Sequence, residues 1–97
     1  MPIRITKYAH PTEDPKGQDI AWLCNDSWRL PNQLGALEDW LQENKCLPKG
    51  FYAADIGFAP REDAFGGGAS LTPESMHIMA SIGMELFFSE YPDGLND

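Results

Sequence analysis

Apolar and polar residues alternate in several short segments of this chain, and in two other segments they follow helical spacing. Alternation around Ile3 and Ile5 predicts a strand over residues 2–10. The polar residues that follow, up to position 19, are broken by Pro and Gly and predict a flexible loop.

Residues 20–30 carry apolar side chains with strand parity, at Ile20, Trp22, Cys24, Trp28 and Leu30. Asp26 interrupts this pattern. Either one long strand runs through with Asp26 at an edge or a bulge, or Asn25 and Asp26 turn a tight hairpin. The parity survives the interruption, which favours the single strand.

The next apolar residues have helical spacing, at Leu34, Leu37 and Leu41. Asn32 is the predicted N-cap, because its side-chain oxygen can accept a backbone N–H of the first turn. Pro48 cannot continue a helix, so the helix is expected to end before it. Residues 51–58 alternate again and predict a strand, with one face formed by Tyr52, Ala54, Ile56 and Phe58.

A glycine-rich loop over residues 59–71 precedes a second predicted helix. Thr72 and Pro73 supply a hydroxyl cap and a first-turn proline, and Gly83 is expected to close the helix. Its predicted apolar stripe contains Met76, Met79, Ala80 and Gly83, widened by Ile78 and Ile82.

Residues 84–91 predict a last strand, with Leu86 and Phe88 directed inward, and residues 92–97 should fray. The order β-β-α-β-α-β predicts an α+β fold, a two-layer sandwich in which two helices cover one face of a four-stranded sheet. The uncovered face is expected to carry Phe51, Asp55, Phe87 and Ser89.

The composition is consistent with this predicted fold. The chain has 97 residues, of which 42% are hydrophobic and 23% charged, which is typical of one globular domain. The longest apolar run is the five residues 20–24, too short to span a membrane. The first residues lack an apolar signal core, so a cytoplasmic location is expected.

Charge is unevenly distributed along the chain. The formal net charge is −8, and residues 62–97 contain seven acidic residues but no Lys or Arg. This balance argues against direct binding to a nucleic-acid backbone, which requires a basic patch. It favours a basic protein partner.

Catalytic and metal-binding signals are weak. Cys24 and Cys46 are expected to be reduced, and together with His10 and His77 they do not form a metal-ligand spacing. No nucleophile has a base placed beside it by local spacing, so the sequence predicts neither an enzyme nor a metal or cofactor.

The glycine-rich loop could cradle an anion, because Gly66, Gly67 and Gly68 precede a helix N-terminus. The chain has no Lys after Lys49, and the spacing matches neither a P-loop nor a dinucleotide fingerprint. A flexible loop or a surface that docks a partner's backbone is the preferred interpretation.

Eleven per cent of the residues are aromatic, which is more than one small core is expected to hold. Tyr and Trp dominate protein-binding surfaces, so an acidic face with exposed aromatic side chains is typical of a binding protein.

The segment from Trp28 to Tyr91 contains a Trp-x-Leu strand end (Trp28 to Leu30), an amphipathic helix, a strand, and after a glycine-bearing loop the pattern Leu-Thr-Pro-Glu-Ser-Met that begins at Leu71. In this pattern it resembles a family of small bacterial domains of unknown function. Some members of that family are suspected immunity-type proteins. The resemblance implies a protein-binding role and brings no catalytic residues.

Together these observations predict a small acidic inhibitor or immunity-type protein that blocks a basic surface of another protein. One version is a phage-encoded inhibitor of a nucleic-acid-binding defence complex. Alternatives are a module that binds a small molecule or a peptide, and a self-associating structural domain, so the chain is expected to be a monomer or a homodimer. The predicted partner-binding residues are Arg61, Glu62, Asp63, Glu85, Phe87, Glu90 and Asp93, with Gly66, Gly67 and Gly68 as a loop site.

Overall fold

A computed structural model describes residues 3–9, 17–24, 27–59 and 68–91 of the chain. In this part, four strands and two helices follow the predicted order β-β-α-β-α-β, which confirms the α+β fold class. The elements are β1 (Ile3–Tyr8), β2 (Gln18–Leu23), α1 (Leu30–Glu43), β3 (Phe51–Phe58), α2 (Pro73–Ile82) and β4 (Met84–Glu90).

The four strands form one mixed sheet in the order β2-β1-β3-β4. β1 lies antiparallel to both β2 and β3, whereas β3 and β4 are parallel. The crossover through α1 therefore connects strands on either side of β1, and the crossover through α2 connects two neighbouring strands. β2 and β4 are the edges of the sheet.

The hydrophobic core lies between the two helices and one face of the sheet. Each fully buried Leu or Ile contributes on the order of 1.5–3 kcal/mol to folding. Both helices contribute to this single core, as expected for a two-layer sandwich. The apolar side chains with the least exposure are Ile3, Ile5, Leu37, Leu41, Ala54, Ile56 and Ile82.

The predicted end signals of α2 are confirmed. The hydroxyl of Thr72 accepts a hydrogen bond from the backbone N–H of Ser75 at 3.1 Å, so Thr72 is the N-cap. Gly83 ends the helix in the left-handed region, with φ of 81°. A Cβ at this position would collide with the carbonyl oxygen of Gly50, so only glycine fits.

The prediction of one long strand over residues 20–30 is wrong. β2 ends at Leu23, which pairs with Ile3, the first residue of β1, so no described residue remains to pair with the next positions. Cys24 has a left-handed φ of 54°, which breaks the extended conformation. Residues 27–29 form no return strand of a hairpin, and Asn25 and Asp26 lie outside the described residues.

The start of α1 was also predicted incorrectly. The helix begins at Leu30 with Arg29 as its N-cap, and Asn32 lies inside the first turn. Pro31 explains the earlier start, because a first-turn proline lacks an N–H that the helix would leave unbonded anyway. The Asn32 side chain instead donates to the Ser27 hydroxyl at 3.2 Å.

Three apolar residues predicted to face inward are exposed. Met76 is 50% exposed because α2 turns a different stripe to the core, formed by Ser75, Ile78, Met79 and Ile82. Ala80 is exposed for the same reason. Phe88 lies on the helix side of β4, in edge-to-face contact with Phe58, but it is 56% exposed because its strand is at the sheet edge.

Candidate functional site

The sheet face opposite the helices carries the candidate site. We call it the open face. Phe51 and Phe87 are 45% and 47% exposed there, as the alternation predicted. The strand registers assign to this face Arg4, Thr6, Tyr8, Asp19, Trp22, Phe51, Ala53, Asp55, Glu85, Phe87 and Ser89.

One row of the open face crosses the whole sheet. Arg4 on β1 pairs with Trp22 on β2 and with Asp55 on β3, and Asp55 pairs with Phe87 on β4. Directly opposed residues of a sheet contact one another on a shared face. The row therefore places a cation and an anion side by side between two exposed aromatic rings.

The charges in the middle of the row already have partners. Arg4 Nε donates to Asp19 Oδ1 at 2.7 Å, and this hydrogen bond is the main reason that the pKa of Arg4 is raised above its ordinary value. The Thr6 hydroxyl donates to the same carboxylate oxygen at 3.2 Å. On the other side, the Ser89 hydroxyl donates to Asp55 Oδ1 at 2.7 Å.

A concavity of about 240 Å³ opens beside this row. Its lining residues include the aromatic residues Tyr8, Phe51 and Phe87, together with Ala53 and Glu85. Ala53 lies in register between Thr6 and Glu85, and its small buried side chain leaves a depression among the larger rings. The remaining lining residues are Tyr52 and Gly83.

Glu85 is the chemically distinct group of this concavity. Its side chain is exposed and has no hydrogen-bond or ion-pair partner among the described residues. Aromatic faces attract cations, and a carboxylate pairs with an ammonium or a guanidinium group. The concavity therefore has the chemistry to hold one cationic side chain.

The structure brings together only two of the predicted partner-binding residues. Glu85 and Phe87 lie on the open face, whereas Glu90 pairs with Phe58 and lies on the helix side of the sheet. Gly68 is exposed, with φ of 117°, and belongs to no helix or strand. The other predicted residues lie outside the described residues, namely Arg61, Glu62, Asp63, Gly66, Gly67 and Asp93.

Sequence reasoning missed Tyr8 and Ala53 as site residues. Alternation along β1 places Tyr8 on the same face as Arg4 and Thr6, so its position on the open face could have been predicted from the sequence. The antiparallel register that sets Tyr8 opposite Phe51 joins strands that are far apart in the sequence, so the local pattern could not predict it. An alanine in a strand does not by itself indicate a binding site.

The described residues contain no group of three or more His, Cys, Asp or Glu side chains that could hold a metal ion. In the same part of the chain, neither helix is long and apolar enough to cross a membrane.

Comparison of the chain with protein-family models, with curated proteins and with solved structures found no match.

Proposed function

We propose that this protein is a small acidic binding protein that blocks a basic surface of another protein, in the manner of an inhibitor or an immunity protein. The open face is the binding surface. The observation that carries the proposal is the concavity formed by Tyr8, Phe51, Phe87 and Glu85, because it combines aromatic rings with an unpartnered carboxylate.

The partner contributes a Lys or Arg side chain to this concavity. Each cation–aromatic contact supplies roughly 0.5–1 kcal/mol at an exposed site and about 2 kcal/mol once water is excluded. The Glu85 carboxylate then receives a charge-assisted hydrogen bond. Exposed rings at the centre of an interface are typical binding hot spots, and Phe51 and Phe87 hold this position.

Long-range charge supports the same partner class. The protein carries a net charge of −8, which accelerates association with a basic surface and makes that association weaken as salt is added. On the open face, Asp19 and Asp55 are already bonded to Arg4 and Ser89, so Glu85 is the group available to the partner.

The experiment uses the tagged protein as bait in a lysate of its source cells at low and at high salt, with mass spectrometry of the captured proteins. Glu85→Gln and Glu90→Gln are a matched pair, because both replace an exposed carboxylate of β4 but on opposite faces of the sheet. The expected result is one stoichiometric basic protein captured at low salt by the wild type and by Glu90→Gln. Glu85→Gln and Phe87→Ala should capture at least tenfold less.

Equal capture by Glu85→Gln and Glu90→Gln would contradict the proposed site. If no protein is captured at either salt concentration, a screen of small cations and of Arg- and Lys-containing peptides by thermal shift follows, since a ligand that binds only the folded state raises its melting temperature. No shift with any cationic probe would contradict the proposed function itself.

A further inference from the structure

The outer side of β4 is a strand edge with regularly spaced backbone groups. The N–H of Tyr52 donates to Gly83 O at 3.2 Å, and the N–H of Tyr91 donates to Phe58 O at 2.9 Å. These two bonds show that the odd-numbered positions of this segment direct their backbone groups toward β3. Because the direction alternates along a strand, the N–H and C=O groups of Met84, Leu86, Phe88 and Glu90 point outward.

The β4 edge lacks several of the features that usually prevent strand pairing, although it carries Glu85 and Glu90. It contains neither Lys nor Pro, and its register with β3 continues without a shift over all seven residues. The other edge, β2, is different, since its register with β1 shifts between Ile5 and Thr6. Irregular pairing of that kind discourages a further strand from adding.

Exposed aromatic side chains flank the β4 edge on both faces of the sheet. Phe87 is 47% exposed on the open face and Phe88 is 56% exposed on the helix side. A strand added to this edge would cover part of both rings, and it would bond the outward backbone groups.

We propose that a second copy of this chain occupies the edge, with the two β4 strands pairing antiparallel about a two-fold axis at Phe87. The two sheets then form one continuous sheet. Backbone hydrogen bonds can form only where outward-directed residues of the two copies lie opposite each other. In this register Leu86 pairs with Phe88 of the second copy, and Met84 pairs with Glu90 of the second copy.

This register opposes no like charges and brings two aromatic rings together. Glu85 lies opposite Ser89 of the second copy, and Glu90 lies opposite Met84 of the second copy, so no two carboxylates are directly opposed. Phe87 faces Phe87 of the second copy in a pair that shares no backbone hydrogen bonds, where the Cα atoms approach to about 4.5 Å. The symmetric contact is self-complementary, as a two-fold interface requires.

The dimer responds to salt in the opposite direction from partner binding. Each copy carries a net charge of −8, so the two copies repel each other and added salt screens this repulsion. Dimerisation is expected to strengthen with salt, whereas capture of a basic partner weakens. The two proposals can therefore fail separately.

Sedimentation equilibrium of the full chain tests the dimer over a wide range of protein concentration. The expected wild-type mass is twice 10.8 kDa, and Phe88→Lys should raise the dissociation constant at least tenfold, because Lys protects an edge. Met76→Lys is the matched control, since Met76 is 50% exposed but lies on α2. Far-UV circular dichroism and thermal melting show that each variant is folded.

A cysteine pair tests the register. In a Cys24→Ala, Cys46→Ala background, Phe87→Cys places two thiols within the Cα range of about 4.4–6.8 Å that a disulfide allows. An added oxidant should cross-link this variant rapidly. Glu85→Cys is the control, because its partner position is Ser89 of the second copy, and it should cross-link at least tenfold more slowly.

Three results would overturn the dimer proposal. They are a monomer mass at every concentration and salt, a dissociation constant unaffected by Phe88→Lys, and cross-linking at Glu85→Cys as fast as at Phe87→Cys. Glu85→Gln leaves the strand pairing intact, so it should leave the mass unchanged while it reduces partner capture.

Discussion

The carboxylate of Glu38, in the middle of α1, accepts a hydrogen bond from the backbone N–H of Thr72 at 2.8 Å. The same oxygen accepts a second hydrogen bond from the Ser75 hydroxyl, also at 2.8 Å. Thr72 is the N-cap of α2, so a residue of one helix satisfies the first turn of the other. Negative charge at this end of a helix is stabilising.

Stability should depend on pH through Glu38. The backbone N–H of Thr72, and then the Ser75 hydroxyl, lower the pKa of Glu38 below its ordinary value of 4.5. Because the folded pKa is the lower one, this stabilisation is present above pH 4.5 and is lost as pH falls through the folded pKa. Glu38→Gln should lower the free energy of unfolding by about 1 kcal/mol at pH 7.

Urea unfolding of the wild type and of Glu38→Gln, at pH 7 and at several values below pH 4, measures this difference. The difference in unfolding free energy between the two proteins should become smaller as the pH falls. Glu43→Gln, an exposed carboxylate at the end of α1, is the control and should not lower the free energy of unfolding at pH 7, because negative charge is unfavourable at the C-terminal end of a helix. A difference that stays constant would mean that the Glu38 charge does not stabilise the helix pair.

Gly83 should be the least replaceable glycine of the described chain. Gly83→Ala forces an L side chain into the left-handed region and against the Gly50 carbonyl, which should cost at least about 2 kcal/mol. Gly35→Ala is the matched control, because a Cβ there has no atom within 4 Å and lies on a helix. It should stabilise the protein by about 0.5–1 kcal/mol. Thermal or urea unfolding gives both values, and equal effects would contradict this account.

The buried Gln33 side chain is expected to stabilise the fold by bonding two backbone carbonyl groups. Its side chain is fully buried, and Nε2 donates to Ser27 O at 2.9 Å and to Gly57 O at 2.7 Å. Gln33→Leu leaves both carbonyl oxygens without this donor and should cost about 2 kcal/mol. Gln42→Leu removes only an exposed hydrogen bond from the same helix to Glu74, and it should change the free energy of unfolding by less than about 0.5 kcal/mol. If the two variants lose similar amounts of unfolding free energy, the buried hydrogen bonds of Gln33 are not a special source of stability.

Filling the concavity should abolish partner binding without removing a binding group. Ala53→Ile introduces a side chain suited to a strand at the buried floor, while Glu85 and Phe87 stay in place. Capture of the basic partner should fall at least tenfold, with the circular dichroism spectrum unchanged and the melting temperature within a few degrees of the wild type. Full capture by a folded Ala53→Ile protein would place the binding surface elsewhere.

Local signals in the sequence determined the elements whose limits depend on nearby residues. The alternation over residues 51–58 predicted β3 without error, and Thr72 and Gly83 marked both ends of α2. These signals are short-range, because a cap or a left-handed glycine acts on backbone groups within one helical turn. Alternation also placed Glu85 and Phe87 on one face of β4.

Only the tertiary structure decided the features that depend on partners distant in the sequence. β2 ends at Leu23 because its pairing with β1 ends there. The polar Ser75 can be buried because its hydroxyl donates a hydrogen bond to Glu38 of the other helix. The row from Trp22 to Phe87 exists because the strand order brings four separate segments into register. The alternation of each strand predicts which side chains share a face, but register between strands is set by packing of the whole sheet against the helices.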